Sequence, residues 1–153
     1  MIKYLLALLL FAFPAHAEVH FGRGCTDLVV KTIAGAQKSV HVAIYTFTSQ
    51  PIANALIAAK KRGADVRVVT DPSQVHSMAI YSMRNIVPVA FDYKHAIQHN
   101  KFLIVDGQTV ETGSFNYTKQ AEYKNAENCL VLHDKELGWQ YDIEFEKHWG
   151  EAK

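Results

Sequence analysis

Short apolar runs alternate with longer helical patterns along this chain. Val40 to Phe47 and Asp65 to Thr70 are rich in β-branched residues, and each run predicts a strand. Between them, Pro51 suits the first turn of a helix that continues through Lys61 until Gly63 ends it. A strand, a helix and a second strand in this order predict a right-handed crossover between two parallel strands. The pattern is therefore that of an α/β domain.

The other apolar segments extend this pattern in both directions along the chain. Pro88 interrupts one short segment and places it near a sheet edge, because proline cannot donate a ladder hydrogen bond. The last segment is typical of an amphipathic helix, with Leu137, Tyr141, Phe145 and Trp149 four residues apart. We expect helices at 26–38, 75–85 and 135–149, a short helix or turn at 117–124, and strands at 87–91, 102–105 and 126–133. Together these elements predict a mixed, largely parallel β-sheet flanked by helices on both faces.

The first residues have the features of a secretory signal. Lys3 precedes an apolar run from Tyr4 to Phe13, and Ala15-His16-Ala17 provides the small-x-small pattern of a signal-peptidase site. The run is much shorter than the ~20 residues that a membrane-spanning helix needs. We expect residues 1–17 to be a cleaved signal and residues 18–153 to be one periplasmic or secreted domain without stable membrane association. The alternative is an N-terminal anchor that is not cleaved.

Composition limits how the protein could bind a polyanion. The chain has 16 lysines and arginines against 15 aspartates and glutamates, so loss of Lys3 with the signal leaves it formally neutral. This balance excludes a uniformly basic surface, and phosphate groups would have to be bound by local clusters of cations. The two cysteines, Cys25 and Cys129, are either a disulfide, which an oxidising compartment permits, or two small buried apolar side chains.

The side chains that could take part in a reaction concentrate around one short strand. Phe102 to Val105 is an apolar run that ends at Asp106-Gly107. Alternate residues of a strand share a face, so His99 and Lys101 should point the same way, with Cα atoms ~7 Å apart. Both side chains could then reach one phosphate group. Asp106 is an odd number of positions from His99 and belongs on the other face, away from a substrate.

A second polar group follows this strand. Gly113 predicts a turn at the end of this segment. Ser114 and Asn116 are two residues apart, so their side chains can point to the same side if the backbone stays extended. A histidine, a lysine, a hydroxyl and an amide that converge on one point form an anion site. The imidazole can also act as a nucleophile or as an acid–base group near neutral pH.

Histidine spacing gives little support for a metal site. His95 and His99 are four residues apart, as in zinc-binding helices, but their segment has no helical pattern and no HExxH sequence. His41 lies in a half-buried strand, where a structural role is favoured over that of a ligand. We therefore predict no metal and no cofactor.

The chain resembles the phospholipase D superfamily in two linked motifs, His99-x-Lys101-x-x-x-x-Asp106 and Gly113-Ser114-x-Asn116. Its length and surrounding residues are most similar to the small single-motif bacterial endonucleases of that superfamily. The segments 43–48, 58–67 and 125–128 also look like family blocks, so the resemblance covers nearly the whole mature chain. It implies a phospholipase D-like fold, an active site at a homodimer axis, and DNA as the substrate, with RNA left open.

Each residue of the motifs has an expected role. His99 is the candidate nucleophile and general acid/base, and Lys101 and Asn116, with Ser114 in support, are the candidates that bind and neutralise the phosphate. The resemblance implies that Glu127 hydrogen-bonds His99, which fixes the tautomer of the imidazole and raises its basicity. The structural residues of the motifs are Asp106 and Gly113.

The chemistry needs two histidines although the chain offers one copy of the motif. Two-step hydrolysis requires a nucleophile on one side of phosphorus and an acid for the leaving oxygen on the other. A C2 homodimer with a shared site would supply both. We therefore expect a metal-independent endonuclease that acts through a phosphohistidine. Two alternatives remain, namely hydrolysis of phospholipids by the same chemistry and a non-catalytic nucleic-acid-binding protein with this fold.

Overall fold

Seven strands and five α-helices make up the part of the chain that the computed structural model describes, residues 16–152. The strands are β1 (His16–Phe21), β2 (Ser39–Ile44), β3 (Asp65–Thr70), β4 (Val89–Phe91), β5 (Lys101–Val105), β6 (Thr109–Gly113) and β7 (Asn128–His133). The helices are α1 (Cys25–Ala34), α2 (Gln50–Lys61), α3 (Met78–Met83), α4 (Lys119–Tyr123) and α5 (Lys135–Glu151). A short 3-10 helix, Pro72–Gln74, lies between β3 and α3.

The strands pair in one mixed sheet, in the order β1-β7-β6-β5-β2-β3-β4. The predicted α/β class is confirmed, and β4, which follows Pro88, lies at the sheet edge as predicted. The expectation of a largely parallel sheet is wrong, because β2–β3 and β3–β4 are parallel whereas the other four pairs are antiparallel. Helical crossovers, which allow parallel pairing, connect β2, β3 and β4, but a tight turn joins β5 to β6.

Helices cover both faces of the sheet, as predicted. On one face, α1, α2 and α3 pack on the larger core, to which β2 contributes alternate residues from Val40 to Ile44. On the other face, α5 covers a smaller core around Ala43 and Phe145. His41 lies on this second face, where its ring stacks on Phe145 at 4.6 Å and its Nδ1 lies 2.6 Å from Asp142 Oδ1. The buried contacts of His41 agree with a structural role.

The first helix is shorter than its sequence pattern predicts. It ends at Ala34 rather than at Lys38, because the backbone N–H groups of Lys38 and Ser39 donate to the carboxylate of Asp106 instead of continuing the helix. Its first turn is bound by Glu122, whose carboxylate accepts the backbone N–H groups of Gly24 at 2.7 Å and Thr26 at 2.9 Å. A cap from a distant helix cannot be read from local sequence.

The two cysteines form a disulfide, so the first of the two alternatives holds. Cys25 at the start of α1 is bonded to Cys129 in β7, with Cα atoms 5.8 Å apart. The bond ties the first helix to β7, the strand that directly follows Glu127.

Two other elements are also shorter than predicted. β2 ends at Ile44, so Phe47 turns into the larger core instead of sharing a face with His41. The predicted helix at 75–85 is reduced to Met78–Met83, because Asp71 caps the preceding 3-10 helix by accepting the N–H of Ser73. Both differences place loops at the carboxyl ends of β2 and β3, where the candidate site lies.

Most of the predicted signal lies outside the described residues. β1 starts at His16 and pairs antiparallel with β7, with His16 opposite His133 and Ala17 opposite Leu132. Residues 1–15, with most of the predicted signal, are not among the described residues. Between residues 16 and 152, no helix has the length and the apolar character required to span a membrane.

Candidate active site

His99 and Lys101 lie together beside the ring of Tyr45. β5 begins at Lys101, so His99 belongs to the loop before the strand rather than to the strand itself. The ring centroids of His99 and Tyr45 are 5.0 Å apart, and Lys101 Nζ lies 5.4 Å from the Tyr45 ring. Lys101 Nζ also donates to the backbone oxygen of His99 at 2.7 Å. An imidazole and an ammonium group are thereby held next to each other.

The loop around His99 is fixed while its imidazole stays accessible. The buried Gln98 donates its backbone N–H to Asp71 Oδ2 at 3.1 Å and its side-chain amide to Asp92 Oδ2 at 3.3 Å. Gln98 Oε1 accepts the backbone N–H of Asn100 at 3.0 Å. His99 is exposed, and its ring makes no hydrogen bond with any residue from 16 to 152. The imidazole is therefore open to a substrate or to a second chain.

Two opposing effects set the pKa of the half-buried Lys101. Burial disfavours the charged ammonium and lowers the pKa below its ordinary value, and the negative charge of Glu127 acts in the opposite direction. Burial is the larger effect. A partly desolvated ammonium interacts more strongly with a phosphate than one surrounded by water.

Ser114, Asn125 and Glu127 form a hydrogen-bonded group where β6 ends and β7 begins. Ser114 Oγ donates to Glu127 Oε2 and accepts the backbone N–H of Asn128 at 3.1 Å. Asn125 Nδ2 donates to Glu127 Oε1 at 2.8 Å. Gly113 permits this close approach, since a Cβ at that position would lie 2.3 Å from the backbone oxygen of Asn128. The glycine of the second motif thus serves strand packing.

The partners of Glu127 differ from those that the resemblance implies. The expected hydrogen bond between Glu127 and His99 is not formed within the described chain, where Ser114 and Asn125 occupy the two carboxylate oxygens. These partners lie at the junction of β6 and β7, whereas His99 lies on the loop before β5. Within one chain, Glu127 acts on the site through its charge on Lys101.

Asn116 is oriented by the backbone of the loop between β2 and α2. Its Oδ1 accepts the N–H of Thr46 at 3.2 Å, and its amide nitrogen makes no hydrogen bond with the rest of the described chain. Asn116 and Asn125 line one polar concavity, while His99 and Lys101 line another. The amide nitrogen is thus a donor available to a ligand.

Asp106 lies at the opposite end of β5 from His99. Its carboxylate accepts the backbone N–H groups of Gln37, Lys38 and Ser39, the shortest of these bonds being 2.7 Å, to Lys38. Its φ of 55° lies in the left-handed region, which aspartate adopts more readily than most residues. Asp106 therefore fixes the β5–β6 turn against the start of β2 and has no direct part in the site.

Three residues of the site belong to no motif that the sequence reveals. Tyr45 lies inside the predicted strand from Val40 to Phe47, where it looks like one more apolar residue, although it follows the end of β2 in the structure. Asp71 follows β3, and the carboxyl ends of neighbouring parallel strands are a place where polar residues gather, so this position carried a usable signal. Asn125 falls in the segment 125–128 that looks like a family block, but its hydrogen bond to Glu127 was not predicted, because it depends on the pairing of β6 with β7.

The sequence from residue 29 to residue 149 matches the family model described as "Cardiolipin synthase, PLD-like domain". The chain belongs to the phospholipase D superfamily. The residues around His99, which carry the two linked motifs, are its candidate active site. The resemblance carried by the two motifs is confirmed.

Curated relatives of this phospholipase D superfamily chain have two kinds of name. It is 36% identical over 121 residues to a protein from Rickettsia prowazekii named "Phospholipase D", covering 77% of this chain and 59% of the relative. It is 37% identical over 139 residues to "Mitochondrial cardiolipin hydrolase" from Xenopus laevis, covering 89% of this chain and 64% of the relative. The chain thus spans about three fifths of the length of the curated relatives that it matches.

Two solved structures match the chain along nearly their whole length. Nuc from Salmonella typhimurium, a phospholipase D family member, is 35% identical with a TM-score of 0.81, covering 90% of this chain and 97% of Nuc. NucT from Helicobacter pylori is 23% identical with a TM-score of 0.82, covering 90% of this chain and 98% of NucT, and shows the same fold. The chain therefore has the dimensions of the small single-motif type within the superfamily.

Proposed function

We propose that this protein is a secreted, metal-independent endonuclease that hydrolyses DNA phosphodiesters without sequence preference through a phosphohistidine at His99. The observation that carries the proposal is the exposed imidazole of His99, held on a fixed loop next to the half-buried ammonium of Lys101. The imidazole is a nucleophile of suitable reactivity near neutral pH. Lys101 supplies the positive charge that a phosphodiester needs before an electron-rich group can approach it.

The reaction runs in two steps with balanced bonds and protons. An imidazole nitrogen of one His99 attacks phosphorus, the bond from phosphorus to the leaving oxygen breaks, and that oxygen takes a proton from a second imidazole. The second imidazole then removes a proton from water, whose oxygen attacks phosphorus and breaks the phosphorus–nitrogen bond. Lys101 and the amide donor of Asn116 stabilise the charge that develops on the non-bridging oxygens.

The second imidazole comes from a second copy of the chain. Each chain contains one copy of the motif, and the leaving oxygen lies opposite the nucleophile, where the same imidazole cannot reach it. A C2 homodimer places the same loop of both chains at the axis. The accessibility of His99 in one chain supports this arrangement, because a residue at the axis must be open to its counterpart.

DNA is the first choice of substrate and phospholipid the second. The chain matches Nuc over nearly the whole of that small protein, and the concavity beside Asn116 is lined mainly by threonine, asparagine, lysine and glutamine. Such a polar surface suits a sugar-phosphate backbone better than acyl chains. The names of the Rickettsia and Xenopus relatives favour phospholipid as the alternative.

Export to an oxidising compartment forms part of the proposal. The Cys25–Cys129 disulfide supports it, because such bonds persist in the periplasm and outside the cell but are rare in the cytosol. Export with cleavage of the signal is tested by sequencing the N-terminus of the protein recovered from the producing cell. A start at Glu18 supports cleavage of the signal, and a start at Met1 in the membrane fraction supports the uncleaved anchor.

One experiment compares the two substrate classes in the presence of excess chelator. The purified protein is offered plasmid DNA and, separately, vesicles of phosphatidylcholine or cardiolipin, with a His99→Ala variant as the control. We expect DNA to be cut by the unchanged protein alone and the vesicles to remain intact. Cleavage of lipid with surviving DNA would reverse the order of substrates. Unchanged DNA degradation by His99→Ala would instead favour a non-catalytic protein and a contaminating nuclease.

A further inference from the structure

Three side chains of types that can bind a metal ion, from distant parts of the chain, meet beside the His99 loop. Asp92 follows β4, His95 lies in the loop that leads to His99, and His148 lies near the end of α5. One ligand atom of each residue lies within 4.8 Å of the other two. His95 Nδ1 is 2.8 Å from Asp92 Oδ2, and His148 Nδ1 is 3.6 Å from the same oxygen. The sequence spacing of His95 and His99 gives no hint of this cluster, because His148 is its other imidazole.

His148 has a buried nitrogen without a partner. Its side chain is 7% exposed, and Nδ1, which faces Asp92, has no hydrogen-bond partner among residues 16–152. The other nitrogen, Nε2, lies 3.2 Å from Asn100 Nδ2 and 3.0 Å from Glu144 Oε1. Buried ring nitrogens are nearly always paired, because an unpaired one loses its hydration without compensation. An unpaired Nδ1 directed at a buried carboxylate is therefore a free ligand atom.

The surroundings of the cluster are those of a metal ligand shell. Asp92 Oδ1 is used by the backbone N–H groups of Lys94 and His95, so Oδ2 faces the two imidazoles. Glu144 beside Nε2 of His148 has the position of the carboxylate that commonly orients a metal-bound histidine. A cation between the three ligand atoms would satisfy Nδ1 of His148 and compensate the charge of Asp92.

We propose that Asp92, His95 and His148 bind a divalent transition-metal ion, for which Zn²⁺ is the best fit. Two imidazoles and one carboxylate suit zinc, which accepts three protein ligands with water in the fourth position, whereas Mg²⁺ and Ca²⁺ prefer oxygen ligands. A metal bond to Nδ1 of His95 takes the place of the hydrogen bond between that nitrogen and Asp92, and a neutral imidazole then carries its proton on Nε2. The site is separate from the reacting groups, since His99 is not among the ligands.

The consequence of binding is a more rigid His99 loop. Gln98, on one side of His99, donates to Asp92, and Asn100, on the other side, contacts His148. An ion that holds Asp92 and His148 in place would therefore fix both neighbours of the nucleophile. A reaction that needs no metal and a fold that a metal stabilises are thus compatible in one protein. The proposed metal site is independent of whether the substrate is DNA or phospholipid.

Metal binding is tested on the chelator-treated protein, purified without a polyhistidine tag. Thermal unfolding and calorimetric titration are measured with ZnCl₂, and with MgCl₂ and CaCl₂ as comparisons. We expect one zinc ion per chain and an unfolding temperature that rises with zinc concentration, with no such rise for magnesium or calcium. A wild-type protein whose unfolding temperature does not respond to zinc would overturn the proposal.

Matched histidine variants assign the binding to this cluster. His95→Gln removes a ligand whose side chain is 40% exposed, so folding should be retained, and His76→Gln removes an exposed histidine outside the cluster. We expect His95→Gln to weaken zinc binding more than tenfold and His76→Gln to leave it unchanged. Co²⁺ should give visible bands of a tetrahedral site in the wild type and in His76→Gln but not in His95→Gln. Equal zinc affinity in the two variants would contradict the assignment.

Discussion

At the scale of single residues, burial lowers the pKa of Lys101 and the charge of Glu127 opposes part of that effect. Burial lowers the pKa of Lys101 and Glu127 raises it, so Glu127 keeps the lysine charged at higher pH than burial alone would allow. Lysine must carry its proton to stabilise a phosphate transition state. Activity should therefore fall on the alkaline side as Lys101 loses its proton.

Replacing Glu127 should move this alkaline fall to lower pH. In Glu127→Gln the attraction is lost, burial acts without opposition, and the pKa of Lys101 drops further. The measurement is kcat/KM from neutral to alkaline pH, with Glu136→Gln at the exposed start of α5 as the control. If kcat/KM of Glu127→Gln falls at the same alkaline pH as that of the wild type, the Glu127 carboxylate has no effect on the pKa of Lys101.

The residue scale also shows how far the sequence can predict a site. His99 and Lys101 are neighbours in the chain, so local backbone geometry suffices to bring them together. The partners of Glu127 depend on the register in which Gly113 lies opposite Cys129, and no local pattern carries that register. The hydrogen bond expected from Glu127 to His99 is for this reason not formed within the described chain, and the role of Glu127 stays a prediction.

At the scale of elements, β6 carries a buried acid beneath the second motif. Glu111 is fully buried, which raises its pKa from 4.5 to about 8, although the hydrogen bond from Tyr117 acts in the opposite direction. Below pH 4.5 the folded and unfolded chains both keep the proton. Between pH 4.5 and about pH 8 the unfolded chain releases the Glu111 proton and the folded chain retains it. The free energy of unfolding therefore falls by about 1.4 kcal/mol per pH unit as pH rises through this range.

A neutral isostere should remove this loss. Glu111→Gln cannot ionise, and we expect its free energy of unfolding to exceed that of the wild type increasingly as pH rises from 5 to 8, by a few kcal/mol at the upper end. Urea unfolding at several pH values measures the difference, and Glu136→Gln again serves as the exposed control. A constant difference between wild type and Glu111→Gln across this range would mean that Glu111 is not protonated in the fold.

The bounds of a strand or helix were predictable where the local sequence pattern alone determines them. β3 was predicted with its observed bounds, and the crossover from β2 to β3 followed from chain order alone. The antiparallel direction of most strand pairs was not predictable. It depends on partners that are far apart in the sequence, such as β1 and β7. The end of α1 depends on Asp106, a residue of the β5–β6 turn, which no window around the helix contains.

At the scale of the whole molecule, the proposed dimer predicts how activity depends on subunit composition. When wild-type and His99→Ala chains are co-expressed in equal amounts, random pairing gives about a quarter wild-type dimers. Mixed dimers lack either the nucleophile or the acid. Specific activity should thus follow the square of the wild-type fraction, which is determined by mass spectrometry. A linear dependence would mean that each chain works alone.

The central claim is that His99 forms a covalent bond to phosphorus without a metal. The most direct measurement is to mix the enzyme with DNA carrying radiolabelled phosphate in excess chelator, stop the reaction with alkaline denaturant, and map the label by peptide analysis. The account predicts acid-labile phosphate on the peptide that contains His99, and none in His99→Ala. DNA cleavage under these conditions with no label on His99 would contradict it, as would cleavage that ceases in excess chelator and returns with magnesium but not with zinc.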